Sequence, residues 1–408
     1  MKNLKIGMFF LLGFVASCAS TKINDVKPLT SNLPSIKSEE ELRLFDRSNR
    51  LHRSFVGQGL LIKELTANNY LNTIANKLVP KFSHDTIKLK FFILKNASVN
   101  AFALPNGNIY INAGLIAKLS SESQLAYVIA HEISHVIERH SLKALIDRKN
   151  TVITSHVADL LLFGTGLIYF VTAAELASFS REMEYSADLN GIRNLVNTDY
   201  DPYESIESLK RLQEVKYDEE SWSPWNSHPE TEKRIQRNTD FLATLSLPKT
   251  INSDDEQYEK FRKPLAKKVI NMRMRNKQFE LAENIIDQEL LTSPNDALLY
   301  FYKAEVNRLK ATEIDAYARE YSWLHDENNN KKLKQRLVEQ QSKHFTLAKQ
   351  NYDKSTQLNQ NLGLANRGLG LLALFQGHAE KAKHLLSKYL KKKKIPDRRY
   401  ITSIIKNI

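Results

Sequence analysis

Apolar residues recur at helical spacing over residues 125–137, directly after a helix-start signal. Ser121 and Gln124 form an S-x-x-Q capping box, and residues 125–130 contain no charge. This pattern predicts a buried helix that begins after Ser121 and runs through residues 131–135. The apolar positions that define its face are Leu125, Val128, Ile129, Ile133, Val136 and Ile137.

The segment before this helix has the period of two that is typical of strands. Residues 87–91 alternate between apolar and polar, and residues 101–104 and 108–112 flank Pro105-Asn106-Gly107, whose Asn-Gly pair favours a tight turn. We therefore expect a small sheet. If its last strand is an edge, an extended peptide could add to it through main-chain hydrogen bonds. A hairpin that only packs on the helices is equally compatible. The residues predicted to bind substrate are Asn100, Ala101, Asn108 and Tyr110.

The C-terminal part is helical in pattern and repeats itself. Ala348 and Ala382 are 34 residues apart, and so are Tyr352 and Leu386. A period of 34 is typical of tetratricopeptide units, which stack helix pairs into a concave binding surface. With a boundary at residues 248–256, we predict a mainly α protein: a first domain of helices and a small sheet over 41–247, and a TPR-like domain over 257–408. A helical extension that only stabilises the first domain is the alternative.

The N-terminus resembles a bacterial lipoprotein signal. Lys2 and Lys5 precede an apolar run over residues 6–16, and Val15-Ala16-Ser17-Cys18 resembles the cleavage box. The run is too short for a transmembrane helix. We predict a signal peptide at 1–17, lipidation of Cys18, a tether at 18–40, and an outer-membrane lipoprotein facing the periplasm of a Gram-negative bacterium. Because Cys18 is the only cysteine, the chain forms no internal disulfide.

An apolar stretch over residues 157–174 contains Asp159, Gly164 and Gly166. We interpret it as a buried helix or a hydrophobic lid rather than a membrane span.

The net charge is +13 and the pI is about 9.4. The densest basic run, residues 391–394 followed by Arg398 and Arg399, lacks the groove-reading or stacking motifs of nucleic-acid binders. We therefore predict no nucleic-acid partner. A solvated basic tail attracted to anionic lipid headgroups or to acidic partner surfaces is the simpler interpretation.

The chemistry is concentrated in His131-Glu132-Ile133-Ser134-His135. On a helix, two histidines at i and i+4 share one face, where they can bind Zn²⁺ while the neighbouring Glu132 acts as general base. A core helix with hydrogen-bonded histidines is the alternative. Glu184 and Asp188, again one turn apart, could supply the third ligand and a partner for the His131 imidazole. His140, nine residues after His131, should face away from the metal.

Four motifs in this order resemble a known family: N-A-x-x-x-P-x-G from Asn100, HExxH from His131, S-R-x-x-E-x-x-A-D from Ser180, and H-P-x-x-x-x-R-I from His228. They are similar to the gluzincin family of the CAAX prenyl endopeptidase and the mitochondrial Oma peptidase. The resemblance covers about residues 56–240 and implies a zincin-like fold with one Zn²⁺. It implies metal ligation by His131, His135 and Glu184, and a general-base role for Glu132.

His228 and Arg234 belong to the last of these motifs. Both are predicted catalytic residues, as donors to the oxyanion. Alternatively, His228 is a fourth zinc ligand that keeps the enzyme latent, or it only caps a helix start. The sequence leaves these three roles open.

Two functional hypotheses follow. The first is a lipid-anchored zinc endopeptidase that cleaves misfolded or stalled envelope proteins, with a repeat domain that could contact the outer-membrane assembly machinery. The second is a chaperone or assembly adaptor that keeps the peptidase fold for binding. An intact Glu132 favours the first, because a protein that only binds does not need the base.

Overall fold

The computed structural model describes residues 26–30, 39–79, 87–151, 179–214, 231–246, 255–392 and 395–408. The predicted signal peptide, the predicted lipidation site Cys18, the apolar stretch 157–174 and His228 lie outside these residues. The fold is mainly helical with one small sheet, as predicted.

The first part of the chain consists of eight described helices around a three-stranded sheet. The helices are α1 (Glu39–Gly57), α2 (Leu65–Leu78), α3 (Ala113–Lys118), α4 (Glu122–Ile137), α5 (His140–Thr151), α6 (Arg181–Val196), α7 (Glu204–Gln213) and α8 (Thr231–Ala243). The strands are β1 (Lys90–Leu94), β2 (Ala101–Ala103) and β3 (Asn108–Asn112).

The sheet has the order β1-β3-β2, with β1 parallel and β2 antiparallel to β3. The first strand begins at Lys90, so the prediction of residues 87–91 is shifted, because pairing with β3 starts only where Lys90 meets Asn108. The predicted turn is confirmed: Gly107 has φ +88°, and its N–H donates to Leu104 O over 2.9 Å. The last strand, β3, is the central strand, so the condition that it forms an edge is not met.

Helix α4 is confirmed and lies in the centre of the first core. Ser121 caps it, since its hydroxyl accepts a hydrogen bond from Gln124 N over 3.1 Å. All sixteen residues of α4 are buried, and the helix packs against α2, α6, α7 and β2. A helix buried on every side places its few polar groups where each of them needs a partner.

Part of the predicted N-terminal tether is packed on this core. Val26 and Leu29 are buried, and Leu29 N donates to Ile137 O at the end of α4 over 2.9 Å. In this short segment the chain therefore differs from a solvated linker.

The second part of the chain is entirely helical in its described residues. Its helices are α9 (Asp255–Arg275), α10 (Phe279–Thr292), α11 (Ala297–Thr312), α12 (Ile314–Leu324), α13 (Lys331–Glu339), α14 (Gln341–Leu358), α15 (Leu364–Phe375), α16 (Ala379–Leu390) and α17 (Arg398–Asn407).

Helix α9 begins at the end of the predicted boundary segment and packs against the first part of the chain. Its residues Tyr258, Phe261 and Leu265 belong to the first core, and the Tyr258 hydroxyl donates to Ile116 O over 3.2 Å. Farther along the chain, the residues with a 34-residue offset occupy equivalent environments: all four are fully buried in α14 and α16. They are Ala348, Tyr352, Ala382 and Leu386.

In the described part of the chain, no helix is both long and apolar enough to cross a membrane.

Candidate metal centre

Three buried side chains converge at the centre of the first domain. The Nε2 atoms of His131 and His135 lie 3.0 Å apart. An oxygen of Glu184 lies 3.5 Å from each of these nitrogens, Oε2 from His131 and Oε1 from His135. All three residues are at most 4% exposed. They form a candidate metal site.

Three helices each contribute residues spaced by four, so that one face of each helix is turned to the site. Helix α4 carries Tyr127 four residues before His131, α6 carries Glu184 and Asp188, and α8 carries Arg234 and Asn238. Helices α4 and α6 approach closely at Gly191, where a Cβ atom would lie 3.3 Å from His131 N. A residue without a side chain there lets Glu184 and Asp188 reach the histidines.

Asp188 holds His131 from behind the site. Its Oδ1 lies 2.9 Å from His131 Nδ1, and its carboxylate accepts two hydrogen bonds from Arg234, 2.7 Å from Nε and 2.6 Å from Nη2. The Tyr127 hydroxyl also donates to Asp188, over 2.8 Å, and accepts from Asn238 Nδ2 over 3.0 Å. With its Nδ1 directed at Asp188, His131 turns Nε2 toward the other ligands.

Arg234 is buried and 3.4 Å from Glu184 Oε2. Asp188 holds its Nε and Nη2 in a bidentate pair, which makes Arg234 an orienting and charge-balancing residue. Among the described residues its Nη1 has no hydrogen-bond partner, and the role of an oxyanion donor stays a prediction.

The buried charges of this cluster shift the pKa values of Asp188 and His131 toward their charged forms. Burial raises the pKa of Asp188, but the Arg234 guanidinium outweighs it and brings that pKa down to about 2. Burial likewise disfavours the His131 imidazolium, but the hydrogen bonds and charges of Asp188 and Glu184 prevail and raise the pKa of His131 to about 9. The metal-free protein therefore binds a proton where a cation would bind.

His140 contacts the second histidine, contrary to the expectation that it faces away. Helix α4 ends at Ile137 and Arg139 adopts φ +56°, so His140 begins a new helix instead of continuing the first. Its Nδ1 lies 2.9 Å from His135 Nδ1. Since His135 Nε2 faces the cluster, we assign the proton to His135 Nδ1, which donates to a neutral His140. Burial keeps His140 neutral by lowering its pKa to about 3.

The turn at Arg139, which directs His140 toward His135, is stabilised by residues near the N-terminus. Arg139 donates to both carboxylate oxygens of Glu41, over 2.9 and 2.7 Å, and this ion pair is buried. Arg139 also donates to Lys27 O over 3.2 Å. A non-glycine residue in the left-handed region costs energy, which these bonds offset.

The donor set fits a zinc-like ion. Two imidazoles and a carboxylate are the ligands of many catalytic zinc sites, and the ligand atoms of a tetrahedral ion lie roughly 3.4 Å apart. The separations of 3.0, 3.5 and 3.5 Å agree with that spacing. Asp188 and His140 support the two imidazoles, as outer partners of metal-binding histidines do.

The part of the chain that contains this cluster is also the part that matches known proteins. A family model described as Peptidase family M48 matches residues 66–240, which include every residue of this cluster. Residues 66–240 form an M48 peptidase domain. The beta-barrel assembly-enhancing protease of Escherichia coli K12 is 28% identical over 224 residues, covering 50% of this chain and 45% of that protein.

Mitochondrial relatives also match the M48 domain. The metalloendopeptidase OMA1 of Schizosaccharomyces pombe is 24% identical over 176 residues, covering 42% of this chain and 52% of that protein. OMA1 of Arabidopsis thaliana is 32% identical over 120 residues, covering 28% and 24%. The chain spans about half the length of the first curated relatives it matches.

The remaining predicted residues of the M48 domain divide between the site and the sheet. Glu132 is 2% exposed and follows His131 on α4. Asn100 directly precedes the outer strand β2 and Ala101 opens it, whereas Asn108 and Tyr110 lie on the central strand β3. Tyr110 is fully buried and hydrogen-bonded to His52 Nδ1 over 2.8 Å, so it belongs to the core.

Sequence reasoning missed four residues of the site: Tyr127, Phe179, Asn238 and the inward-facing His140. Tyr127 and Asn238 each lie one turn from a predicted residue, a spacing that the sequence shows. Phe179 stacks on the His135 ring at 4.0 Å between centroids, and no pattern in the sequence indicates it.

Proposed function

We propose that the M48 domain is a zinc-dependent endopeptidase. The observation that carries the proposal is the buried His131, His135 and Glu184 cluster, with Glu132 beside it on the same helix and a protein partner on the outer nitrogen of each histidine. When bound, zinc supplies the Lewis acid that lowers the pKa of a water molecule and polarises the scissile carbonyl.

The residues of the chain perform the other steps. Glu132 takes the proton of the attacking water and passes it to the leaving nitrogen. Asp188 and His140 keep the two imidazoles in one tautomer and orientation. Arg234 balances the charge of Asp188 and Glu184, which would otherwise repel each other in a buried site.

Substrate binding is proposed at the outer edge of β2. Asn112 N donates to Asn100 O over 2.9 Å and Leu104 N donates to Asn108 O over 2.8 Å, so the even-numbered residues in and beside β2 bond to β3. In an antiparallel ladder the intervening residues, Ala101 and Ala103, turn their N–H and C=O outward. No described strand lies beyond them, and in the chain without substrate both residues are buried, 3% and 2% exposed. An extended substrate that adds there is held mainly by its backbone.

The test of this proposal is cleavage of an unfolded protein by the purified chain, before chelation, after chelation, and after zinc is returned. We expect cleavage to stop on chelation and to recover with one equivalent of zinc. Cleavage that persists after complete removal of the metal contradicts the proposal. Zinc-loaded protein that never cleaves an unfolded chain favours the adaptor alternative.

We further propose that the protein is a lipoprotein of the outer membrane that cleaves misfolded or stalled envelope proteins. The support is the lipoprotein-like N-terminus with Cys18 and similarity to a relative named a beta-barrel assembly-enhancing protease. Labelled palmitate should be incorporated into the wild type and not into Cys18→Ser. Labelling of both, or of neither, contradicts the anchor without affecting the proposed peptidase activity.

A further inference from the structure

The C-terminal helix pair carries most of the net charge of the chain. Residues 378–408 contain ten lysines and arginines but only two acidic residues, Glu380 and Asp397, so this segment holds eight of the thirteen net positive charges. Asp397 is already engaged: it accepts hydrogen bonds from Arg367 over 2.5 Å and from the Tyr389 hydroxyl over 2.8 Å. The segment is basic well beyond what its own acids can balance.

The basic side chains lie on exposed helix faces. On α16, Lys381, His384 and Lys388 are exposed at positions i, i+3 and i+7, and exposed Lys391 follows three residues later, so these residues form one stripe. On α17, Arg399 and Lys406 are exposed with the same spacing of seven. The opposite face of α17 is anchored by Ile401, which packs with Leu386 and Tyr389.

Three surface lysines of the preceding helices pair with acidic side chains. Lys260 pairs with Glu256 at 2.6 Å, Lys277 with Glu313 at 2.5 Å, and Lys334 with Asp315 at 2.6 Å. Among the described residues, no ion pair involves Lys381, Lys388 or Arg399. A helix that only shields the end of a repeat stack needs a polar face, and charges of both signs would serve that purpose.

An aromatic side chain lies within this basic surface. Tyr400 is 57% exposed between Arg399 and the buried Ile401. A tyrosine with an apolar ring and a polar tip is favoured at a membrane–water interface, and lysines and arginines extend their aliphatic stems there. A bilayer also needs no fixed pattern of acceptors, because its lipids move to meet the cations. These features favour a lipid surface over an acidic protein.

We propose that this basic surface docks the C-terminal helices onto a bilayer that contains anionic phospholipids. The surface comprises Lys381, Lys388, Lys391, Arg398, Arg399 and Lys406, together with the exposed Tyr400. The attraction is electrostatic and of short range, so it orients the repeat helices against the membrane and weakens as salt is added. The inference does not depend on peptidase activity or on lipidation of Cys18.

The experiment is co-sedimentation of the full chain with vesicles of phosphatidylcholine alone and with vesicles that also contain phosphatidylglycerol. The test variant is Lys381→Glu/Lys388→Glu/Arg399→Glu. The matched control is Lys343→Glu/Lys349→Glu/Lys354→Glu, which makes the same change in charge at exposed positions of α14. All variants share the same N-terminus, so any contribution of that segment cancels.

We expect the wild type and the control to bind the anionic vesicles better than the neutral ones, and high salt to remove that preference. At roughly fivefold in affinity per basic residue near the surface, the test variant should bind on the order of a hundredfold more weakly. Its circular dichroism should match that of the wild type. Equal losses in the two triple variants, equal binding to both kinds of vesicle, or retention of binding by the test variant would each overturn the proposal, and an acidic protein would then be the next partner to test.

Discussion

Asp188 Oδ1 lies 2.9 Å from His131 Nδ1 and directs that imidazole, through its other nitrogen, toward His135 and Glu184. The same carboxylate is held by two hydrogen bonds from Arg234. One aspartate thus links a metal-ligand candidate on α4 to a buried guanidinium on α8.

Replacing Asp188 by asparagine should weaken zinc binding. The variant keeps the size of the side chain but loses the charge that orients His131, and losses of this kind are about 10- to 100-fold in metal affinity. Arg234 would keep a buried charge without its partner, which should cost about 3 kcal/mol or more of stability. Competition with a zinc chelator and denaturant titration measure the two effects. Asp199→Asn, the same change on a side chain that is 71% exposed, should alter neither.

His140 should be needed for zinc binding because it accepts the Nδ1 proton of His135. His140→Leu removes the acceptor, and we expect a loss of about tenfold or more in zinc affinity. His140→Asn offers a carbonyl oxygen near the position of Nδ1 and should restore most of it. The spectrum of the cobalt-substituted protein reports ligand geometry without turnover. Identical spectra and affinities for wild type and His140→Leu would show that the contact is only packing.

The metal-free protein should lose stability as the pH rises from about 6.5 to about 9. The folded-state pKa of His131 is about 9 and lies above the ordinary histidine pKa of 6.5. Its contribution is therefore complete below pH 6.5 and disappears as the imidazolium deprotonates through pH 9. Urea titrations at a series of pH values measure this slope, which His131→Asn should flatten.

Zinc binding at pH 7 should release a proton, detectable as a binding enthalpy that varies with the buffer.

The outer edge of β2 can be tested by removing one of its donors. Ala103→Pro deletes an N–H that points away from β3, so the ladder to β3 remains while the substrate loses a hydrogen bond. We expect KM for an unfolded protein to rise several-fold with little change in kcat or zinc content. Ala103→Gly, which keeps the N–H, is the control. A fall in kcat with unchanged KM would place the substrate elsewhere.

Much of this architecture follows from local signals. The capped helix α4, the Asn-Gly turn and the helical C-terminal part are each specified by neighbouring residues, and the structure confirms them. Spacing of four also brings Glu184 and Asp188 to one face of α6, which allowed the metal-binding cluster to be proposed from the sequence.

What the sequence did not predict depends on contacts between distant segments. His140 was expected to face away because the helix was extrapolated beyond Ile137, whereas the left-handed Arg139, tied to Glu41, reverses the chain. The sequence also did not predict the strand order, because the parallel pairing of β1 and the antiparallel pairing of β2 with the same strand β3 depend on tertiary contacts. Phe179 is distant from His135 in the sequence and stacks on its ring only in the folded protein.

The most direct test of the central claim is to measure bound zinc and peptide cleavage together in the wild type, Glu132→Gln and Glu184→Gln. If Glu132 is the general base and Glu184 a ligand, Glu132→Gln should keep one zinc per chain and lose at least about 100-fold in cleavage rate, whereas Glu184→Gln should lose the metal itself. Wild-type cleavage by zinc-loaded Glu132→Gln, or full zinc content in Glu184→Gln, would contradict this assignment.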